Sequence, residues 1–129
     1  MPPRKLLVVD DDPDIRRIAA LALERLGGFQ VTLAEDAQAA LESATRDPPD
    51  LVLLDVSMPG TDGPGALRAL RSREATAKVP VVFFTAASSE PEIQRLLGLG
   101  AVGVVPKPFE VADLPRRIHA ILRDLGLLD

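Results

Sequence analysis

The sequence predicts an α/β fold: a single domain of five β–α units forming an open parallel sheet with helices on both faces, a three-layer sandwich. Three observations lead there. Short apolar runs alternate with amphipathic stretches of helical period along all 129 residues. Four of the five runs are almost continuously apolar, as strands are when helices cover both faces of their sheet. The chain is also too short for a second core, and no repeat, linker or low-complexity segment divides it, so residues 1–129 read as one domain.

The first strand is KLLVVD (5–10). Asp12-Pro13 then opens a helix, with Asp as cap and Pro in the first helical position. Ile15, Ile18, Ala19, Ala22 and Leu26 share its apolar face, and Gly27-Gly28 stops it. In FQVTLA (29–34), Gln30 and Thr32 make the second strand mixed, which suits a sheet edge. Asp36 caps a second helix that runs to about Arg46, ahead of Pro48-Pro49. DLVLLD (50–55) is the third strand, and a third helix follows from about Pro64 to Arg73. VPVVFFT (79–85) is the fourth strand, with Phe83 and Phe84 on opposite sides of the sheet. Ser89-Glu90-Pro91-Glu92 has capping-box spacing and opens the fourth helix. AVGVVP (101–106) is the fifth strand. Leu114, Ile118, Ile121, Leu122 and Leu125 form the stripe of the last helix, with Pro115 in its first turn and Asp113 as its cap. His119 falls beside that stripe and reads as a surface residue. The closing RDLGLLD presents three leucines in short order, which fits a continuing helix, a linker or a dimer contact.

Composition narrows the function. A net charge of −4 argues against nucleic acid as a direct partner, because phosphate backbones select basic faces. The absence of Cys removes disulfides and thiolate metal sites, and a single His leaves no multi-histidine zinc site. No apolar run reaches membrane-spanning length, and a soluble cytoplasmic protein is the simplest expectation.

The chemistry gathers at the strand ends. In an open parallel sheet, ligands bind beyond the carboxyl ends of the strands. Here the first strand ends in Asp10-Asp11, the third in Asp55 and the fourth in Thr85, and the fifth runs into Lys107. Carboxylates gathered within a few ångströms are tolerable with a cation between them, and a small set of hard oxygen ligands suits Mg²⁺. Lys107 can neutralise an incoming phosphoryl group as a point charge, and the Thr85 hydroxyl can hydrogen-bond it. A carboxylate aimed at phosphorus can act as nucleophile and become an aspartyl phosphate. Asp12 and Asp14 need no ligand role: Asp12 caps the helix, and Asp14 is a first-turn acid favoured by the helix dipole.

VVDDDPDIRR, LVLLDVSMPGTDG, VVFFTA and VPKPFE, in this order and each at a strand end, resemble the motifs of the response-regulator receiver domain (CheY-like) of two-component signalling, over nearly the whole chain. The resemblance implies a strand order of 2-1-3-4-5. It implies that Asp55 is the phosphoacceptor and that Asp10 and Asp11 hold Mg²⁺ together with Asp55, Asp11 being the more direct ligand. The backbone carbonyl of Ser57 would complete the protein's share of the coordination. It further implies that Thr85 is the switch hydroxyl, that Lys107 binds the phosphoryl group, and that the Lys107–Pro108 bond is cis. Ala86 is small, as the family prefers where the phosphoryl group needs access. The protein would take its phosphoryl group from a sensor histidine kinase or a phosphotransfer protein, catalyse only its own phosphorylation and dephosphorylation, and signal to a downstream protein target. Phosphorylation would re-pack the fourth helix, fifth strand and fifth helix, with Glu92, Arg95, Val104, Asp113, Arg116 and Arg117 on the output surface. A homodimer formed on phosphorylation is a further expectation. Two departures stand out. Val104 occupies a position where many receivers carry Tyr or Phe, so an aromatic rotamer switch is not available. Pro106 removes a ladder donor, so the fifth strand is expected to be an edge or to end there.

Other classes fit less well. A calcium loop starting at Asp10 would need Gly at 15 and Glu at 21, where Ile15 and Leu21 stand. An aspartyl-phosphate-forming, Mg²⁺-dependent phosphohydrolase would need a substrate cap, and no segment is long enough to make one. An electron carrier of the flavodoxin type would need a Ser/Thr/Gly-rich phosphate loop after the first strand, where the acids lie instead.

Overall fold

The computed structural model describes residues 4–86 and 89–128; residues 1–3, 87, 88 and 129 lie outside it. It has five strands: β1 (Lys5–Val9), β2 (Gln30–Ala34), β3 (Leu51–Asp55), β4 (Val81–Thr85) and β5 (Gly103–Pro106). They form one parallel sheet in the order β2-β1-β3-β4-β5. The helices are α1 (Pro13–Leu21), α2 (Ala37–Arg46), α3 (Gly63–Arg71), α4 (Glu90–Gly98) and α5 (Asp113–Asp124). The mixed β2 lies at one edge and β5, ending at Pro106, at the other, as their compositions predict. The fourth and fifth strands start two residues later than their apolar runs do, because Pro80 precedes β4 and the Val102 N–H bonds the Val81 carbonyl before the ladder begins.

The core is two layers, one on each face of the sheet. Leu7, Val9, Val52, Leu54, Val81 and Phe83 pack against α2, α3 and α4 through Ala40, Ala44, Leu67, Leu70 and Leu96. The alternate residues Leu6, Val8, Leu51, Leu53, Val82 and Phe84 pack against α1 and α5 through Ala19, Leu23, Leu114, Ile118 and Leu122. Side chains alternate across a strand, so an uninterrupted apolar run supplies both layers. Each fully buried Phe or Leu contributes about 1.5–3 kcal/mol by leaving water.

Three of the five helices start on an Asp cap, two of them at the residues expected from the sequence, Asp12 and Asp36, and one, Asp62, unforeseen. Asp12 accepts the N–H groups of Asp14 (2.9 Å) and Ile15 (3.4 Å), Asp36 accepts that of Ala39 (2.8 Å), and Asp62 accepts that of Gly65 (2.9 Å). The other two differ. Ser89 occupies the cap position of α4, but its side chain makes no capping bond. Asp113 is not the cap of α5: Ala112 is, already in helical conformation, because a turn closed by the Glu110 carbonyl leads straight into the helix. Asp113 is therefore a first-turn acid.

The apolar face of α1 also departs from expectation. The helix continues into a π-helical turn, Ala22–Leu26. The wider turn shifts the helical phase beyond Ala22, and Leu26 is 59% exposed; Ile18, ahead of the turn, is 44% exposed, and Leu23, one turn after buried Ala19, is fully buried. At the other end of the chain, Gly126 adopts φ 77° and the Leu127 N–H bonds the Leu122 carbonyl at 2.8 Å, which turns the chain back. Leu127 and Leu128 fold against the α1/α5 layer, and of the three closing leucines only Leu125 stays exposed. His119 is half-buried rather than a surface residue. Its Nε2 donates to the Gly27 carbonyl (3.0 Å), and its ring lies 4.8 Å from that of Phe29.

Candidate functional site

Parallel register brings the strand ends to one edge. Val9 pairs with Leu54, Asp55 with Phe84, and Thr85 with Pro106. Asp10 and Lys107 each lie one residue beyond their strands, so all four polar groups face the same opening. Asp10, Asp11, Asp55, Ser57, Thr85 and Lys107 line one cavity of about 260 Å³, together with Asp12, Ile15 and Ala86.

The acids sit in contrasting surroundings. Asp10 is fully buried, Asp55 is 3% exposed, and Asp11 is exposed. Asp10 Oδ1 accepts the Asp12 N–H at 2.9 Å, and Asp10 Oδ2 lies 2.7 Å from Lys107 Nζ. Asp55 Oδ1 accepts from Lys107 Nζ at 3.0 Å and from the Ser57 N–H at 3.2 Å. Lys107 thus bridges the two buried carboxylates. Its ammonium also lies 4.9 Å from the centre of the Phe84 ring, an attractive cation–π position. The Lys107 N–H bonds the Thr85 carbonyl (2.8 Å), and the Lys107–Pro108 bond is cis.

Burial pushes the pKa of Asp55 up to about 6, and the charge of Asp10 adds to the rise; Lys107 and the Ser57 N–H offset only part of it. For Lys107, burial alone would lower the pKa, but hydrogen bonds and charge from Asp10 and Asp55 together outweigh it and hold the ammonium above its ordinary value.

These residues fit a divalent cation. One oxygen each from Asp10, Asp11 and Asp55 lies within 4.8 Å of the others, an all-carboxylate donor set suited to a hard ion. The Ser57 carbonyl lies on the loop just after Asp55.

The expected output residues are not part of this cavity. Glu92 and Arg95 pair with each other on α4, at 2.6 and 3.0 Å. Asp113 and Arg117 pair on α5 at 3.5 Å, and Arg116 is exposed beside them. Val104 is half-buried against the layer of α2, α3 and α4.

Two residues at the site escaped the sequence. Arg16 Nη1 donates to the Asp10 carbonyl at 2.7 Å. Gly63 presses against the end of β3, where a Cβ would lie 2.5 Å from the Asp55 carbonyl oxygen. Gly63 lay just ahead of the expected start of the third helix with nothing to mark it, and Arg16 was one arginine among many.

Comparison with known proteins agrees with the geometry. The family model described as the response regulator receiver domain matches residues 6–119. The chain is 44% identical over 121 residues to the transcriptional regulatory protein CseB of Streptomyces coelicolor, covering 94% of this chain and 50% of that protein. It is 38% identical over 123 residues to the phosphate regulon transcriptional regulatory protein PhoB of Escherichia coli, covering 95% and 53%. The chain spans about half the length of these curated relatives. The solved structure of the chemotaxis response regulator CheY4 of Vibrio cholerae superposes with a TM-score of 0.86 at 29% identity, over 93% of this chain and 99% of that one. With five parallel strands in the order 2-1-3-4-5 and an acidic cluster at their carboxyl ends, the chain belongs to the response regulator receiver domain family.

Proposed function

We propose that the protein is a phosphorylation-controlled switch whose phosphoryl acceptor is Asp55. One observation carries this. Asp55 is a nearly buried carboxylate with two further carboxylates and one ammonium converging on it, at the edge of the sheet where ligands bind.

Transfer from a phosphohistidine donor, on a sensor histidine kinase or a phosphotransfer protein, needs little covalent help from the protein. An Asp55 oxygen attacks phosphorus, the P–N bond breaks, and the imidazole nitrogen keeps the bonding pair. Asp10, Asp11, Asp55 and the Ser57 carbonyl would hold Mg²⁺, which when bound would supply the positive charge that favours an ionised Asp55 and offsets charge on the phosphoryl group. Lys107 already touches Asp55 and is placed to follow the new charge onto the phosphoryl group. Dephosphorylation is attack by water on the same phosphorus, releasing inorganic phosphate and restoring the carboxylate.

Phosphorylation adds about −1.5 to −2 charges. The added charge favours a conformer in which the Thr85 hydroxyl reaches the phosphoryl group and α4, β5 and α5 re-pack. With Val104 in place of a ring, coupling runs through Thr85 and the backbone of β4 and β5. Glu92, Arg95, Val104, Asp113, Arg116 and Arg117 form the surface read by a protein target or a second copy of the chain. The names of the curated relatives support a transcriptional readout. Among the described residues no helix is long and apolar enough to cross a membrane, and the proposed place of action is the cytoplasm.

The test is acetyl phosphate with Mg²⁺, followed by intact mass. Wild type gains one phosphoryl group; wild type in EDTA and Asp55→Asn in Mg²⁺ gain none. Labelling retained in Asp55→Asn would place the acceptor elsewhere.

A further inference from the structure

Resting on the metal site proposed above, we infer that Arg16 is a positioning residue for that site. Its guanidinium pins the peptide plane between Asp10 and Asp11, and so sets the direction in which Asp11 approaches the cation.

The carbonyl that Arg16 Nη1 bonds at 2.7 Å belongs to the peptide joining Asp10 to Asp11. Asp10 is otherwise fixed from three sides. Its N–H bonds the Ala34 carbonyl of β2 at 3.2 Å, its Oδ1 accepts the Asp12 N–H, and its Oδ2 pairs with Lys107. Asp11 is different. It is exposed, and among the described residues no hydrogen bond or ion pair holds its carboxylate. Its direction therefore follows from the backbone on either side: Asp10 Oδ1 holds the Asp12 N–H on one side, and Arg16 grips the Asp10 carbonyl on the other.

Arg16 is well placed for this. Its own N–H bonds the Asp12 carbonyl at 3.0 Å, so one residue of α1 holds the β1–α1 turn at two points. It is half-buried, and a short bond from an ionised donor is stronger than a neutral one. Groups that orient metal ligands in this way typically change affinity by about 10- to 100-fold when removed.

The experiment is titration calorimetry of Mg²⁺ alone into the unphosphorylated full chain, for wild type, Arg16→Met and Arg16→Lys, with urea unfolding of each in EDTA. Arg16→Met keeps the length and apolar stem but removes the donor, and is expected to weaken Mg²⁺ binding by about 10-fold or more. Arg16→Lys restores a charged donor and recovers most of that loss, while the two variants unfold at similar urea concentrations in EDTA. Unchanged Mg²⁺ affinity in Arg16→Met overturns the assignment. So does a loss that Arg16→Lys shares in full, since the effect would then follow the packing of α1 and not the bond to the carbonyl. Wild type that fails to bind Mg²⁺ overturns the proposed metal site itself, a result distinct from wild-type binding that Arg16→Met leaves unchanged.

Discussion

Asp55→Asn should make the metal-free protein more stable at neutral pH. Asp55 is 3% exposed, and burial with the neighbouring Asp10 charge raises its pKa from 3.8 to about 6 in the folded state. Between those values the folded state holds a proton that the unfolded state has released. Stability therefore falls as pH rises through this window, and the full penalty is present above it. A rise of about two units corresponds to about 3 kcal/mol. Asparagine is close in shape, carries no charge at any pH, and leaves Lys107 its partner Asp10. In EDTA at a pH of about 7.5, Asp55→Asn should thus be about 3 kcal/mol more stable than wild type, and the difference should shrink toward zero near pH 4 as wild-type Asp55 takes up its proton. The assay is urea unfolding followed by far-ultraviolet circular dichroism, because the chain has no Trp or Tyr to serve as a fluorescent reporter. The slope of free energy against urea should be the same for both proteins, so that the midpoint alone reports stability. Equal or lower stability of Asp55→Asn at neutral pH would refute the reasoning, and so would a gain that persists unchanged into acid.

Lys107→Met removes the cation shared by two buried carboxylates, and should destabilise the metal-free protein by about 3–5 kcal/mol at neutral pH. Urea unfolding in EDTA should show the loss fading as acid protonates the carboxylates, and wild-type stability at neutral pH would count against the bridge. Gly63→Ala places a Cβ 2.5 Å from the Asp55 carbonyl oxygen and 2.8 Å from the Val56 Cα, both backbone atoms with little freedom to yield. The variant should lose about 1–3 kcal/mol and phosphorylate more slowly, as unfolding midpoints and acetyl phosphate labelling rates would report. His119→Ala loses a hydrogen bond to the Gly27 carbonyl and a ring contact with Phe29. It should lower stability by about 1–2 kcal/mol in urea unfolding and leave labelling of Asp55 near the wild-type rate.

Much of the fold was legible because its signals are local. An apolar run bounded by Pro, Gly or Asp marks a strand wherever it occurs, and Asp12 and Asp36 cap their helices with atoms only two or three residues away. The candidate site was legible for a related reason. Its residues stand at the ends of those runs, and parallel strands in register carry their ends to one edge. Local signals failed where a distant contact decided the outcome. Periodicity at an even helical pitch placed Ile18 and Leu26 inward, whereas in the layer shared with Leu114, Ile118 and Leu122 of α5 it is Leu23 that is buried. His119 looked like a surface residue because its partners, Gly27 and Phe29, lie about ninety residues earlier in the chain.

The sequence by itself determined the order and type of the elements, the two-sided core and the edge at which the acids gather, since each follows from residue pattern, chain connectivity and the handedness of parallel crossovers. Only the tertiary structure decided that Lys107 bridges Asp10 and Asp55, that Arg16 grips the Asp10 carbonyl, and that Gly63 abuts Asp55. The first joins elements far apart in the chain, and all three turn on distances of a few tenths of an ångström. Such distances are set by how whole helices seat on the sheet, which residue pattern does not specify.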